Sequence, residues 1–462
     1  MRKLLSWFLV IAVVGSTDCK KSDNPTPTPP PTDTTTIPTT TAMDLMLDTA
    51  FGYTQGIYLW YKTIPDTVNA RRFADPDGLM TYIRKFSIEP GFSDPVDKWS
   101  FGITQAAWDN ESSGITQDFG MSVFFFGQKD LRVKYVERES ASGAAGIQRG
   151  WQIVKINNNV NIDASNNSSI DYIIQNVFNS TNTSFTFKLP DGSTKVVALT
   201  ANTYQEHPVF LDTVYNNVGG KNVGYIVFNS FLGDTTEIRN EFERIFNRFT
   251  GSGVNDVVVD LRYNGGGYVN LQSIFADYLV PSSANGQLLL SQKFNDIYDQ
   301  YNSSTTITKL GALNLTRIFF IVSHNTASAS ELLINNMRPF MDVKIVGPEN
   351  SYGKPVGYFP IPTGNWYIFP VSFRTTNKNG EGNYFGGFTP DKQVNDGLDK
   401  NWGDVTESCL ASTLSYIGGG SFRAAVVPYV DKSALRVGNT KLSANEFNGM
   451  VSSLRELPLR KK

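Results

Sequence analysis

The chain has 462 residues, 13% aromatic and 18% charged, with a formal net charge of −2. That length predicts two or three folded domains rather than one core, and the mixed charge gives no electrostatic footprint for nucleic acid. Two cysteines, Cys19 and Cys409, in no CxxC and near no histidine cluster, argue against a sulfur–imidazole metal centre, and nothing in the chain's motifs calls for a cofactor.

Residues 1–18 read as an export signal: Arg2 and Lys3, the apolar run Leu4–Val14, then Gly15-Ser16-Thr17. The run is too short to span a bilayer as a stable helix. Cys19 follows, and the segment resembles a bacterial lipoprotein signal whose cysteine becomes the lipidated first residue. Asp18 departs from that pattern, where a small residue is usual. The expectation is export to the periplasm, outer membrane or cell surface of a bacterium, with a lipid anchor as the only membrane contact. Residues 19–42 are rich in Pro and Thr, with Pro25, Pro27 and Pro29 to Pro31, and read as an extended tether.

Residues 43–108 carry a helical and aromatic pattern, including Phe51, Tyr53, Tyr58, Trp60, Met80, Tyr82 and Ile83. Residues 109–203 alternate short β runs with helices. Met121–Phe126, Leu131–Val136 and Gln152–Ile156 predict strands, and Ala144–Gly150 predicts a helical turn closed by glycine. Ile170, Ile173, Ile174, Val177 and Phe178 predict a helix, and a hairpin crosses Pro190-Asp191-Gly192. The run Ser140-Ala-Ser-Gly-Ala-Ala-Gly-Ile-Gln-Arg-Gly-Trp-Gln-Ile-Val-Lys-Ile-Asn157 resembles a PDZ domain of secreted bacterial proteases, with Trp151 where an acidic residue is usual. The resemblance implies that the backbone of Gly120, Met121, Ser122 and Val123 captures a peptide carboxylate and adds the peptide as a strand.

Residues 204–419 alternate strands and helices, which predicts an α/β core with a largely parallel sheet. Val223–Asn229, Asp256–Arg262, Arg317–Val322 and Val343–Val346 are the strand candidates, and Trp366–Thr376 is an extended run. Helices are marked by Ile238, Phe242, Ile245, Phe246 and Phe249, and by Leu271, Ile274, Phe275, Tyr278 and Leu279. Residues 420–462 form a C-terminal extension with a weaker pattern. The fold class expected is therefore multidomain, α/β plus β.

Two segments carry chemistry. Asp260-Leu-Arg-Tyr-Asn-Gly-Gly-Gly-Tyr268 ends a buried strand in three glycines, whose N–H groups can face a developing oxyanion. His324-Asn-Thr-Ala-Ser-Ala-Ser-Glu331 places hydroxyls at a strand-to-helix turn, and Gly353-Lys354 follows the next strand. Ser328 would sit at a helix N-terminus, with the Ala329 amide as oxyanion donor; Thr326 and Ser330 compete. A lysine base must lose several units from a free pKa of roughly 10.4, and burial is what lowers it. Lys354 has suitable apolar neighbours in Tyr352, Val356 and Tyr358.

These segments, with Asp97-Lys-Trp-Ser100, Gly347 and Thr389-Pro-Asp391, resemble the C-terminal processing peptidase, or tail-specific protease, family. The resemblance covers about residues 43–417. It implies a helical N-terminal region, an inserted PDZ domain and a Ser-Lys core, with Ser328 as nucleophile, Lys354 as general base, and Ala329, Gly265 and Gly266 as oxyanion donors. It also implies polypeptide substrates, unfolded or presented by their C-termini. Two departures stand out: Tyr358 occupies the place of a lysine-orienting glutamine, and Pro339 the place of an aspartate, with Asp342 nearby. Ser351-Tyr-Gly-Lys354 fits a penicillin-recognising Ser-x-x-Lys, but Lys-Thr-Gly is absent and the one Ser-Asp-Asn lies in the tether. The rival reading is an envelope protein that binds peptides without cutting them.

Overall fold

The computed structural model describes residues 40–422 and 449–452. The expected signal, Cys19, and nearly all of the tether lie outside the described residues. So does most of the C-terminal extension.

A six-stranded sheet forms the middle of the α/β core. Its order is Lys392–Gln393, Asp342–Gly347, Arg317–Ile321, Val254–Asp260, Lys221–Phe228, Val209–Val218. All neighbours run parallel except the last pair, a hairpin, so the alternation of strand and helix produced the parallel sheet it predicts. The strands are apolar at successive positions because both faces are covered. Val257, Val259, Ile318 and Phe320 pack with Phe242, Phe275, Leu333 and Met337 on one side. Val258, Phe319 and Ile321 pack with Cys409, Leu410 and Ile417 on the other. The helices are Thr235–Gly251, Val269–Leu279 and Ala329–Met337, and Ser408–Gly419 across the sheet. Asp234 starts the first of these by accepting from the amides of Thr236 and Glu237.

Val254–Asp260 stops two residues before the expected Arg262, because the Arg262 amide turns back onto the Asp260 carboxylate at 3.2 Å. The extended run at 366–376 is two strands: Trp366–Phe369 joins Phe101–Thr104, and Phe373–Asn377 joins Leu288–Phe294. Pro370, with no N–H to donate, lies in the break.

Residues 43–108 are less helical than their pattern suggests and have no core of their own. Helices Ala42–Ile57 and Pro76–Ile83 bury Leu47, Ile57, Leu79 and Met80 in the same cluster as Phe242, Phe275 and Leu333 of the α/β core, and Phe101–Thr104 is a strand. Residues 115–205 do have a separate core. Strands Met121–Gly127, Asp130–Val136, Gln152–Ile156, Asn182–Lys188 and Thr194–Thr200 make a five-stranded antiparallel sheet, with Phe125, Leu131, Phe185 and Phe187 fully buried. Asn167–Val177 is its helix. The short helix lies at Ala141–Ala144, earlier than expected, because Ser140 caps it by accepting from the Gly143 amide. Ile115–Asp118 and Asn202–Gln205 pair with each other where the chain enters and leaves this domain.

Candidate active site

Two turns leave the C-terminal ends of adjacent parallel strands, the usual place for chemistry in such sheets. After Val254–Asp260 comes the glycine turn, and after Arg317–Ile321 the serine turn. Asn264 joins them. Its side chain donates to the Phe228 carbonyl at 3.0 Å and accepts from the Gly266 amide at 2.9 Å. Its carbonyl accepts from the Ala327 amide and the Ser330 hydroxyl, each at 3.0 Å.

The three hydroxyl candidates are separated by what they bond. Thr326 Oγ1 donates to the Leu261 carbonyl at 2.7 Å and accepts from the Ser323 amide, and Ser330 is spent on Asn264. Ser328 Oγ is buried with no hydrogen-bond partner among the described residues. Its backbone sits at φ +59°, ψ −108°, a region that costs a non-glycine residue about 1–3 kcal/mol. Such strain persists where the surroundings impose it, and here they do. Ser328 immediately precedes helix Ala329–Met337, so the Ala329 amide is a first-turn N–H with no intrahelical acceptor.

Glu331 imposes the geometry. It is fully buried, and its carboxylate accepts four hydrogen bonds. Oε2 takes the Ser328 amide at 2.9 Å and the Lys354 amide at 2.8 Å; Oε1 takes Ser351 Oγ at 2.6 Å and the Gly353 amide at 2.7 Å. One carboxylate thus brings together the two residues singled out in the sequence. Burial pushes its pKa above the usual carboxylate range, and the four donors oppose that. The sequence signal was a Ser-x-x-Glu capping pattern, which points to a helix start and says nothing of Lys354.

Lys354 is also fully buried. Desolvation lowers its amine well below the ordinary lysine value; Asp97 and Glu331 pull the other way, and Arg84 adds to the lowering. Its Nζ lies 3.7 Å from the Tyr358 ring centroid and 5.7 Å from that of Trp99. The aromatic residue in the place of a glutamine therefore offers the amine a π face instead of a carbonyl. Asp97 is held in turn by Tyr58, Ser100 and the Trp99 amide, so the Asp97–Ser100 motif backs the lysine. His324 packs its ring on Tyr352 at 5.1 Å, to the side of the site. Asp342 pairs with Lys344, and Pro339 follows the end of the serine helix.

Of the glycines expected as oxyanion donors, Gly266 gives its amide to Asn264. Its φ of +106° and missing side chain serve instead: a Cβ there would lie 2.9 Å from the Ala329 nitrogen. Gly265 remains a donor candidate. Gly120, Met121, Ser122 and Val123 belong to the separate five-stranded domain, where Met121–Gly127 is an edge strand and the Gly120 amide is taken by Asp118 at 2.5 Å.

The glycine turn also anchors to that domain through a buried ion cluster. Arg262 pairs with Asp260 at 2.6 Å and with Glu407 and Asp396 at 2.8 Å, and Arg149 reaches Asp396 at 2.7 Å. Burial would raise Asp396, but the two guanidiniums outweigh it and hold its pKa at about 2.

Residues 222–394, which span both turns and Lys354, match the model of Peptidase family S41. Among solved structures, one assigned to the S41 proteases from Bacteroides fragilis NCTC 9343 is 22% identical, covering 80% of this chain and 97% of that one at a TM-score of 0.65. The photosystem II D1 C-terminal processing protease is 17% identical over 76% of this chain and 93% of its own, at a TM-score of 0.45. The family match over residues 222–394 meets the resemblance drawn from the motifs.

Proposed function

We propose that the chain is a serine endopeptidase working through a Ser328–Lys354 dyad. The observation that carries this is the Glu331 clamp: one carboxylate oxygen holds the backbone amides of a strained serine with an unbonded hydroxyl and of a lysine whose buried amine has a lowered pKa. Neutral Lys354 takes the Ser328 proton as Oγ attacks the scissile carbonyl. The Ala329 and Gly265 amides face the oxyanion. Lys354 then protonates the leaving amine, and water releases the acyl group.

The 109–203 domain would act as a PDZ-like reader of substrate C-termini, with the amides of Met121 to Val123 meeting the carboxylate, since Asp118 holds that of Gly120, and the edge strand Met121–Gly127 offering backbone for strand addition. Export and lipidation at Cys19 would place the enzyme at the cell envelope, with unfolded polypeptides as substrates.

The test is hydrolysis of unfolded peptides with apolar C-termini by the parent, Ser328→Ala and Lys354→Ala. Each substitution should cost on the order of 10³-fold or more in kcat. Cleavage that survives both would refute the dyad, and peptide binding by a parent that never cleaves would favour the non-catalytic rival.

A further inference from the structure

Ser328 and Lys354 are both fully buried, so something in the folded chain covers the groove a substrate needs. One segment lies against the residues that flank both. Strand Gly449–Val451, from beyond the α/β core, lies parallel to Gly266–Tyr268 with Gly449 opposite Gly266 and Met450 opposite Gly267. The Gly449 amide donates to the Gly265 carbonyl at 3.0 Å. On its other edge the Tyr358 amide donates to the Met450 carbonyl at 2.9 Å, and the Ser452 amide donates to the Tyr358 carbonyl at 2.9 Å. Met450 and Val451 are almost wholly buried. The segment thus runs as an added strand between the glycine turn and the residue whose ring supports the lysine.

Its register is also informative. A Cβ placed on Gly266 would meet the Gly449 carbonyl oxygen at 2.4 Å and the Ala329 nitrogen at 2.9 Å, so that carbonyl and that amide crowd the same point. The occupant's backbone therefore passes the turn that adjoins the Ala329 amide, with room only for a glycine at 266. Strand addition is the ordinary way an extended peptide is held by backbone alone.

We infer that Gly449–Ser452 is a cis-bound occupant of the substrate groove, standing where an extended peptide with a small residue followed by two apolar ones would lie. An incoming substrate must displace it. This rests on the peptidase reading above for what the groove is used for. It does not rest on that reading for the displacement itself. The occupant belongs to the same chain as the groove, so it competes intramolecularly, at an effective concentration on the order of mM.

Competition of this kind acts on KM rather than kcat. In the full chain, Met450→Asp should lower the KM for a short quenched peptide by about tenfold and leave kcat unchanged, because the occupant no longer competes. The free peptide Phe447-Asn-Gly-Met-Val-Ser-Ser453 should then inhibit that variant competitively, and the same peptide carrying Asp for Met should not. A cooperative, folded Met450→Asp with the parent's KM would overturn the inference. Should that variant fail to fold, hydrogen exchange on full-length Ser328→Ala gives the answer. Saturating substrate peptide should speed exchange at the amides of Gly449 to Ser452 if they are displaced, and unchanged or slower exchange would refute displacement. If displacement occurs and no form of the chain cleaves, the peptidase reading fails and the occupancy stands.

Discussion

Two buried carboxylates hold this molecule's working parts, and they do it in opposite ways. Glu331 is surrounded by three backbone amides and a hydroxyl, with no salt bridge among the described residues. Asp396 sits between the guanidiniums of Arg149 and Arg262. Amide dipoles fix direction and leave the acid's pKa raised, whereas guanidiniums supply charge and drive it down to about 2. The first arrangement suits positioning, because fixed N–H groups set the direction of the Ser328 and Lys354 backbones. A joint between domains gains from the second, where charge pairing is strong and direction matters less.

The sharpest way to break the comparison is Glu331→Gln. The amide keeps the shape but presents N–H groups to donors that need an acceptor, so Ser328 and Lys354 lose their common anchor. Peptidase kcat should fall about 10³-fold. A variant that is folded and retains kcat within about threefold would show that the clamp is dispensable.

Asp396→Asn should instead strike stability, by about 3 kcal/mol, because removing one partner leaves buried guanidinium charge unmatched. The pH profile separates the two acids. Asp396 has a lowered folded pKa, so its contribution is present above the unfolded carboxylate value of about 3.9 and is lost as pH falls through about 2. Thermal unfolding of Asp396→Asn should therefore show a flatter acid limb than the parent. Glu331 has a raised folded pKa, so its ionisation costs stability as pH rises above the unfolded value, and Glu331→Gln should leave the acid limb alone. Identical acid limbs for parent and Asp396→Asn would contradict the ion-cluster assignment.

The smallest effect expected is at Tyr358. Replacement by Leu removes the ring under Nζ and should lower kcat about tenfold, whereas Phe keeps the face and should stay within about twofold. Equal losses in both would mean that the hydroxyl, rather than the ring, is what matters.

Much of this was legible in the sequence because it depends on local pattern. The alternation at Ile238–Phe249 and Leu271–Leu279 marks helices, and the apolar run before Asp260 marks a strand covered on both faces. Ser328 and Lys354 were legible as a motif. What the sequence did not show are contacts made across long separations by residues with bland local roles. Glu331 looks like a capping residue until Gly353 and Lys354 arrive at its oxygens. Asn264 looks like a turn former until Ser330 and Ala327 bond to it. Tyr358 looked like a gap in the mechanism, because a π face cannot be read from a residue expected to be an amide. Gly449–Val451 has no signal at all, since a three-residue strand takes its conformation from the two edges it meets.

The paired strands Ile115–Asp118 and Asn202–Gln205 carry one more consequence. The Glu206 amide donates to the Gly114 carbonyl at 2.7 Å, so the chain leaves the core and returns to it at adjacent positions. Everything between those strands is a detour in the path of the α/β core, with its own apolar interior. A tight turn could close the interval of roughly one strand spacing, about 5 Å. The domain can therefore be lengthened or exchanged at those two strands, provided a cation is returned to the place of Arg149 beside Asp396.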